Sequence, residues 1–408
     1  MYDEEKRLII RDARVFTGDT LLPRADVAVA DGLITRVGTD PVPAGPGTEV
    51  VDGRGRTLLP GLIDAHAHVF PGSLEQALAF GVTTVLDLMS DPVMIAGLRA
   101  RAAGDAAMAD VRSAGTAATV PGGYGAYLVD MGYLPPFPTL TEPEQAEAFV
   151  ADRLAEGSDF VKILIDDGSS TGMPLPRLRE ETVAALVGHT HTRGRLAIAH
   201  VLSADDARLA ARAGADVLAH LFVDRHADAD LPHLLAEGGT AVIPTLAVLD
   251  GLFGRLHGPD LLSDPRVAPH LDDASRQMLS FGAVPLGEQA RYDLDVPVRT
   301  VGMLREAGVT ILAGSDASNS DTAHGATLHV ELELLVRAGL TPMEALTAAT
   351  SAPADCFGLP GRGRIRPGHQ ADLLLVRGDP TSDITATLDI AAIWRKGRRF
   401  RRPGRAAT

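Results

Sequence analysis

One cysteine, Cys356, leaves no partner for an internal disulfide and excludes a metal site built from thiolates. The sequence also lacks the run of about 18 consecutive apolar residues that marks a membrane-spanning helix. Its opening, MYDEEKRLIIRD, is acidic and lacks the apolar stretch of an export signal, so a soluble cytoplasmic protein is the expectation. Aromatic residues are scarce, at 4%, and Ala, Leu, Val and Gly fill most of the periodic segments. Small aliphatic side chains suit a compact α/β fold whose strands are covered by helices on both faces. Positive charge is in deficit: 38 Lys and Arg face 53 Asp and Glu, a net charge of -15. That balance argues against attraction to nucleic acid or an anionic membrane. The exception is the basic run from Trp394 to Arg402, which reads as a solvated tail.

The 408 residues, 45% of them hydrophobic, can bury a large core. From Leu8 to Val51, short apolar–polar alternations separated by Gly and Asp read as strands. The same texture returns in RIRPGHQADLLLVRGDP and IAAIWRKGRRF. A few strands cannot bury an apolar face alone, so residues 1–59 and 356–408 are expected to share one small β-sandwich domain. Between them, over 60–355, strand and helix periods alternate eight times, from LIDAHAHV with SLEQALAF to TILAGSDA with GATLHVELELLVRAG. Glycines at 157, 194, 214 and 308 stop helices where the chain must turn into the next strand. Eight such units predict a (β/α)8 TIM barrel with reactive residues at the carboxyl ends of its strands. Two connections, 116–140 and 250–295, are long enough to shape a site, and 272–281 within the second has helical character. In the first, Tyr124, Tyr127, Tyr133 and Phe137 either face a substrate or pin the loop by packing.

The sharpest local pattern is Asp64-Ala65-His66-Ala67-His68, at the end of the first barrel strand. Alternate strand residues share a face, so His66 and His68 can aim at one point across the small Ala67. Imidazole pairs suit zinc, iron or nickel, and a chance His-x-His is the bland alternative. Asp64 reads as a structural residue or as one that orients the free nitrogen of a ligand imidazole. Lys162 sits in the apolar strand FVKILI, where a bare ammonium costs several kcal/mol. Two explanations stand equal: an ion pair with Asp166 or Asp167, or reaction of the neutral amine with CO2 to give an anionic group able to bridge metals. Burial and nearby cations favour the second by lowering the lysine pKa. His200 ends LAIAHV and His220 ends VLAH, both at the expected rim, although either could be a satisfied core histidine. Asp316, in ILAGSDA, ends the eighth strand, where a carboxylate can hold a metal and accept a proton from water; a helix N-cap is its alternative. His189, His191, His226, His233 and His270 fall on helices or in loops and read as exposed.

Together LLPGLIDAHAHV, GVTTVLDL, DFVKIL, the pair His200 and His220, ILAGSDA, GLTPMEALTAAT and GRIRPGHQADLLLVRGDP resemble the amidohydrolase superfamily over nearly the whole chain. The likeness is to its binuclear, carboxylated-lysine members in the imidazolonepropionase-like and Xaa-Pro dipeptidase-like branch. It implies two divalent metal ions, expected as Zn2+, with His66, His68, Lys162 and Asp316 around the more buried one. N6-carboxylysine at Lys162 would bridge to the second, held by His200 and His220. One departure is Gly122-Gly123-Tyr124-Gly125, where relatives commonly read Gly-Gly-His-Gly; a tyrosine is a poor metal ligand. The implied activity is hydrolysis of an amide or peptide bond, in a dipeptide or an N-acyl amino acid, so the implied partner is a small-molecule substrate. Asp316 would move the proton and Tyr124 is a candidate donor to the developing oxyanion. Hydrolysis of a cyclic amide, imidazolone, lactone or ester is the chemical alternative; a non-catalytic structural or binding protein is the alternative of another class. The likeness also implies a homo-oligomer.

Overall fold

The computed structural model describes residues 7–132 and 134–404, so Tyr133 lies outside the described residues. The chain is α/β. Strands from both of its ends form one eight-stranded sheet. Its order is Arg398–Phe400, Ile390–Arg395, Leu373–Arg377, Arg56–Pro60, Arg7–Phe16, Leu21–Ala30 and Leu33–Gly38, with Thr48–Asp52 paired to Arg7–Phe16. The seam between the two ends is antiparallel and sets Leu58 opposite Leu375. Ile10, Val15, Val27, Leu58, Leu373, Leu375 and Trp394 pack into one buried cluster on it.

The middle of the chain holds two parallel sheets. One joins Leu62–Ala67, Val82–Asp87 and Asp110–Ser113; the other joins Val161–Leu164, Ala197–His200, Val217–Ala219 and Ala241–Ile243. Isolated parallel bridges link Ala118 to Ile163, Val242 to Ile311 and Ala67 to Ala317. Every residue of Leu62–Ala67, Val82–Asp87, Val161–Leu164 and Ala197–His200 is buried, as strands covered on both faces require. No helix among the described residues is long and apolar enough to cross a membrane.

Three expectations give way. TAVIPTLAVL does not continue as one strand: Ala241–Ile243 stops at Pro244, Thr245 turns left-handed at φ 50°, and a helix runs over Leu246–Leu252. Proline has no N–H to extend the ladder, so the strand ends there. TILAGSDA pairs through single bridges at Ile311 and Ala317 rather than a continuous ladder. Its Gly314 packs so tightly that a Cβ would sit 2.5 Å from Ile243 Cγ2 and 2.8 Å from His66 Cβ.

Nor is the basic run a solvated tail throughout: Arg398, Arg399 and Arg401 are exposed, but the rest is held. Trp394 and Arg395 are fully buried, and Arg395 Nη1 donates to both oxygens of Asp372 at 3.0 and 3.1 Å. Lys396 Nζ donates to the Ala103 carbonyl at 2.7 Å. Arg402 Nε donates to the Ala79 carbonyl at 2.7 Å, with its guanidinium over the Phe80 ring. The charged heads find oxygen acceptors while their aliphatic stems pack, so basic composition does not force them into water. The helical character of 272–281 appears as a helix over Asp273–Leu279, capped by the Asp272 carboxylate accepting from the Ser275 N–H.

Candidate metal centre and active site

His66 lies on, and His68 just beyond, the strand Leu62–Ala67, and the segment after Gly314 runs parallel beside them. The Asp316 N–H donates to the His66 carbonyl at 2.7 Å, with Asp316 held at φ 51°. That fixes Asp316 Oδ1 3.3 Å from His66 Nε2 and 3.0 Å from His68 Nε2, and these three groups are close enough together to hold one cation. Asp316 Oδ2 lies 3.9 Å from His220 Nε2. The His220 ring is 4.7 Å from that of His66 and 4.6 Å from that of His200. Lys162 projects from Val161–Leu164 with 1% exposure, and the carboxylates whose charges act on its amine are Asp316 and Asp87. His66, His68, His200, His220, Lys162 and Asp316 therefore converge.

Buried polar atoms in folded chains nearly always find a hydrogen-bond partner. Here His66 Nδ1 and Nε2, Lys162 Nζ, His200 Nε2 and Asp316 Oδ1 are buried without one. Burial pushes His66 and His220 well below the usual imidazole range, helped by the charge of Lys162 and the neighbouring rings. Burial also lowers His200, against the opposing pull of Asp166. His68 differs: burial acts downward, but the Asp316 carboxylate 3.0 Å away leaves it raised. Burial takes Lys162 down to about 7 against Asp316 and Asp87. The lowered imidazoles of His66, His200 and His220, a carboxylate and an amine that loses its proton near neutrality are donor forms that divalent ions take, and the residues present fit such ions.

Several supports of the centre have no signature in the sequence. His68 Nδ1 lies 2.9 Å from the Met89 carbonyl, and His220 Nδ1 lies 2.7 Å from Thr245 Oγ1. The helix that follows Thr245 is anchored by buried Glu331, whose Oε2 accepts from the Ala247 N–H at 2.9 Å. Burial raises the Glu331 carboxyl to about 8. Asp87, between Ser90 and Ser113 hydroxyls at 2.5 Å each, accepts from the Val69 N–H just beyond His68. Thr245→Val keeps the branched shape and deletes the hydroxyl that fixes His220. It is expected to weaken metal binding by about 10–100-fold in chelator competition; an unchanged affinity would remove Thr245 from the site.

Of its two expected roles, Asp64 takes the structural one. It accepts from Ser315 N–H at 3.0 Å, Ser315 Oγ at 2.6 Å and His66 N–H at 3.2 Å, so it fastens two segments together rather than orienting a ring nitrogen. Burial raises its carboxyl to about 6, against the Ser315 hydrogen bonds. Among the described residues no ion pair joins Lys162 to Asp166 or Asp167; Asp166 faces His200 instead. Asp316 caps no helix, since the next one, Ala326–Arg337, begins after Gly325.

The Tyr124 ring lies 4.3 Å from the His200 ring, and Tyr124 and Phe137 also pack with Met89, Leu134 and Leu164, so loop packing and proximity to the centre coincide. The Tyr127 backbone opens the short helix Tyr127–Asp130. His191, His226 and His233 are exposed, whereas His189 and His270 are half-buried. Buried His324, with Nε2 3.0 Å from the His68 carbonyl, is an unanticipated neighbour.

Fold and cluster together define an α/β protein with a candidate metal centre at the carboxyl ends of parallel strands. The chain belongs to the amidohydrolase family, whose pattern matches residues 57–399 and whose fold implies a TIM barrel with a separate domain. Ochratoxinase of Aspergillus niger is 25% identical over 270 residues, covering 64% of this chain and 50% of that protein. The match thus spans about half the length of that curated relative. A Bifidobacterium longum structure provisionally assigned as a prolidase superposes with a TM-score of 0.78 at 27% identity, covering 99% of this chain and 96% of that one. A Xaa-Pro dipeptidase with methionine bound in its active site superposes at 0.77 with 22% identity, covering 97% and 100%, and shows the shared fold.

Proposed function

We propose that the chain is an enzyme that hydrolyses an amide or peptide bond, in a dipeptide or an N-acyl amino acid, at a centre for two divalent ions. One observation carries the reading: the buried, unpartnered His66 Nε2, Lys162 Nζ, His200 Nε2 and Asp316 Oδ1 gather where parallel strands end. In the same reading the parallel sheets and their bridges close a (β/α)8 barrel over 60–355. The sheet built from both chain ends belongs to a β-sandwich domain of 1–59 and 356–408. The prolidase, Xaa-Pro dipeptidase and ochratoxinase likenesses support a C–N bond as the target.

His66, His68, Lys162 and Asp316 would hold the more buried ion, and His200 and His220, with Lys162 between, the other. Imidazole and carboxylate donors suit Zn2+. Such ions, when bound, polarise a carbonyl and bring the pKa of water toward neutrality. The Lys162 amine, deprotonated near pH 7, attacks CO2; an N–C bond forms, a proton leaves, and the resulting carbamate offers two oxygens. Asp316 takes the proton of the attacking water and passes it to the leaving amine. Tyr124, against His200, holds the substrate carbonyl oxygen as negative charge develops there.

The test is a panel of Xaa-Pro dipeptides, other dipeptides and N-acetyl amino acids, with cyclic imides and lactones beside them. Turnover of a dipeptide or acyl amino acid that chelator abolishes and Zn2+ with bicarbonate restores is the expected result. Turnover confined to lactones or cyclic imides, or none anywhere in the panel at full metal loading, would overturn the proposal.

A further inference from the structure

Asp166 carries a feature that the six converging residues do not explain. It lies two residues beyond the strand Val161–Leu164 that carries Lys162, on the segment leaving that strand's carboxyl end. The residue is 1% exposed. Its Oδ1 accepts from the Gly168 N–H at 2.8 Å, which fixes the carboxylate plane. Its Oδ2 is buried with no hydrogen-bond partner and lies 3.6 Å from His200 Nε2, itself buried without one. No arginine or lysine among the described residues forms an ion pair with Asp166; the nearby Arg177 is taken by Asp206. Asp166, Asp167 and Asp206 also lie close enough together to be candidate cation ligands, yet Asp206 is neutralised by Arg177 and Asp167 is only half-buried. The spare oxygen of Asp166 is directed toward His200.

A buried carboxylate with no counter-ion is costly unless a cation or hydrogen-bond donor meets it. Two donors bound to one divalent ion at about 2.0–2.2 Å each stand roughly 3–4 Å apart. The separation of Asp166 Oδ2 and His200 Nε2 falls in that interval. We infer that Asp166 is a ligand of the second metal position, adding an anionic oxygen beside His200 and His220. This rests on the two-ion reading above. Asp167 and Asp206 remain outside the site, the first exposed on one side and the second neutralised by Arg177. A role confined to hydrogen-bonding the His200 ring is the competing account, and the experiment separates the two.

Wild-type protein, Asp166→Asn and Asp166→Glu are stripped with chelator and titrated with Co2+ in bicarbonate buffer, following metal stoichiometry and the visible absorption of the bound ion. Asparagine preserves shape and the acceptor for the Gly168 N–H, and thermal melting confirms folding. Wild type is expected to hold two ions. Asp166→Asn is expected to retain one tightly and to bind the second at least about tenfold more weakly with an altered spectrum. Asp166→Glu, which keeps the carboxylate, is expected to recover part of the spectrum. Two ions in Asp166→Asn with an unchanged spectrum would overturn the assignment, and so would weaker binding with an unchanged spectrum, because Asp166 would then act only through His200. A wild-type chain that holds a single ion overturns the two-ion reading itself and this ligand with it.

Discussion

Replacing Asp316 with Asn should lower kcat by roughly 10²–10⁴-fold, the usual worth of a positioned acid–base group. The substitution keeps the shape of the side chain and the backbone hydrogen bond from Asp316 to His66, so the loop should hold its course. What disappears is the ability to take a proton from water and return it to the amine. Asp316 Oδ1 also stands 3.3 and 3.0 Å from the two imidazoles, so some metal should be lost as well. The rate is therefore to be measured at saturating Zn2+, with metal content determined on the same samples and kcat separated from KM. A kcat equal to wild type across the accessible pH range would end the proposed role of Asp316.

Lys162→Met should have two opposite effects. With Zn2+ and bicarbonate present, the loss of a bridging group should reduce activity by at least about 100-fold and leave fewer ions bound. In chelator-stripped protein the same change should raise stability. Folding lowers the lysine from 10.5 to about 7, through burial, so below pH 7 the unfolded chain keeps its ammonium in water while the folded chain must bury it. That penalty is full below about pH 7, shrinks as the pH rises and vanishes above 10.5. Methionine, of similar length and apolar, never incurs it. The stripped variant should therefore exceed wild type by on the order of a few kcal/mol at neutral pH, with the gap closing toward pH 10. Thermal melts at pH 6, 8 and 10 check this. A variant with two ions and full rate would dismiss the bridge; equal melting at every pH would show that the amine is solvated.

Much of the centre could be placed from the sequence because its residues sit at the ends of strands that announce themselves. His66, His200 and His220 each close an apolar run, and Lys162 interrupts one, so period and position locate them without knowledge of contacts. The supporting residues are hidden for a physical reason. Thr245 matters because Pro244 stops a strand and the next residue turns left-handed beside His220, a relation made by tertiary packing across 25 positions. Glu331 lies on a helix whose pattern only says that it is amphipathic. Asp64 stood in plain view, but Ser315, 251 residues away, decides whether it holds a ring or a backbone. The basic run misled because composition reports charge without reporting Asp372 or the carbonyls of Ala79 and Ala103 that receive it.

The seam that sets Leu58 against Leu375 bears on how the molecule is made. At ribosomal speeds of about 5–20 residues per second, the first strands wait roughly 15–60 s for their neighbour to be synthesised. Throughout that interval Arg56–Pro60 presents an open edge to whatever passes, and nascent chains on one messenger carry the same edge side by side. Rapid translation of the middle, or a chaperone on the first sixty residues, would protect yield without touching the catalytic machinery.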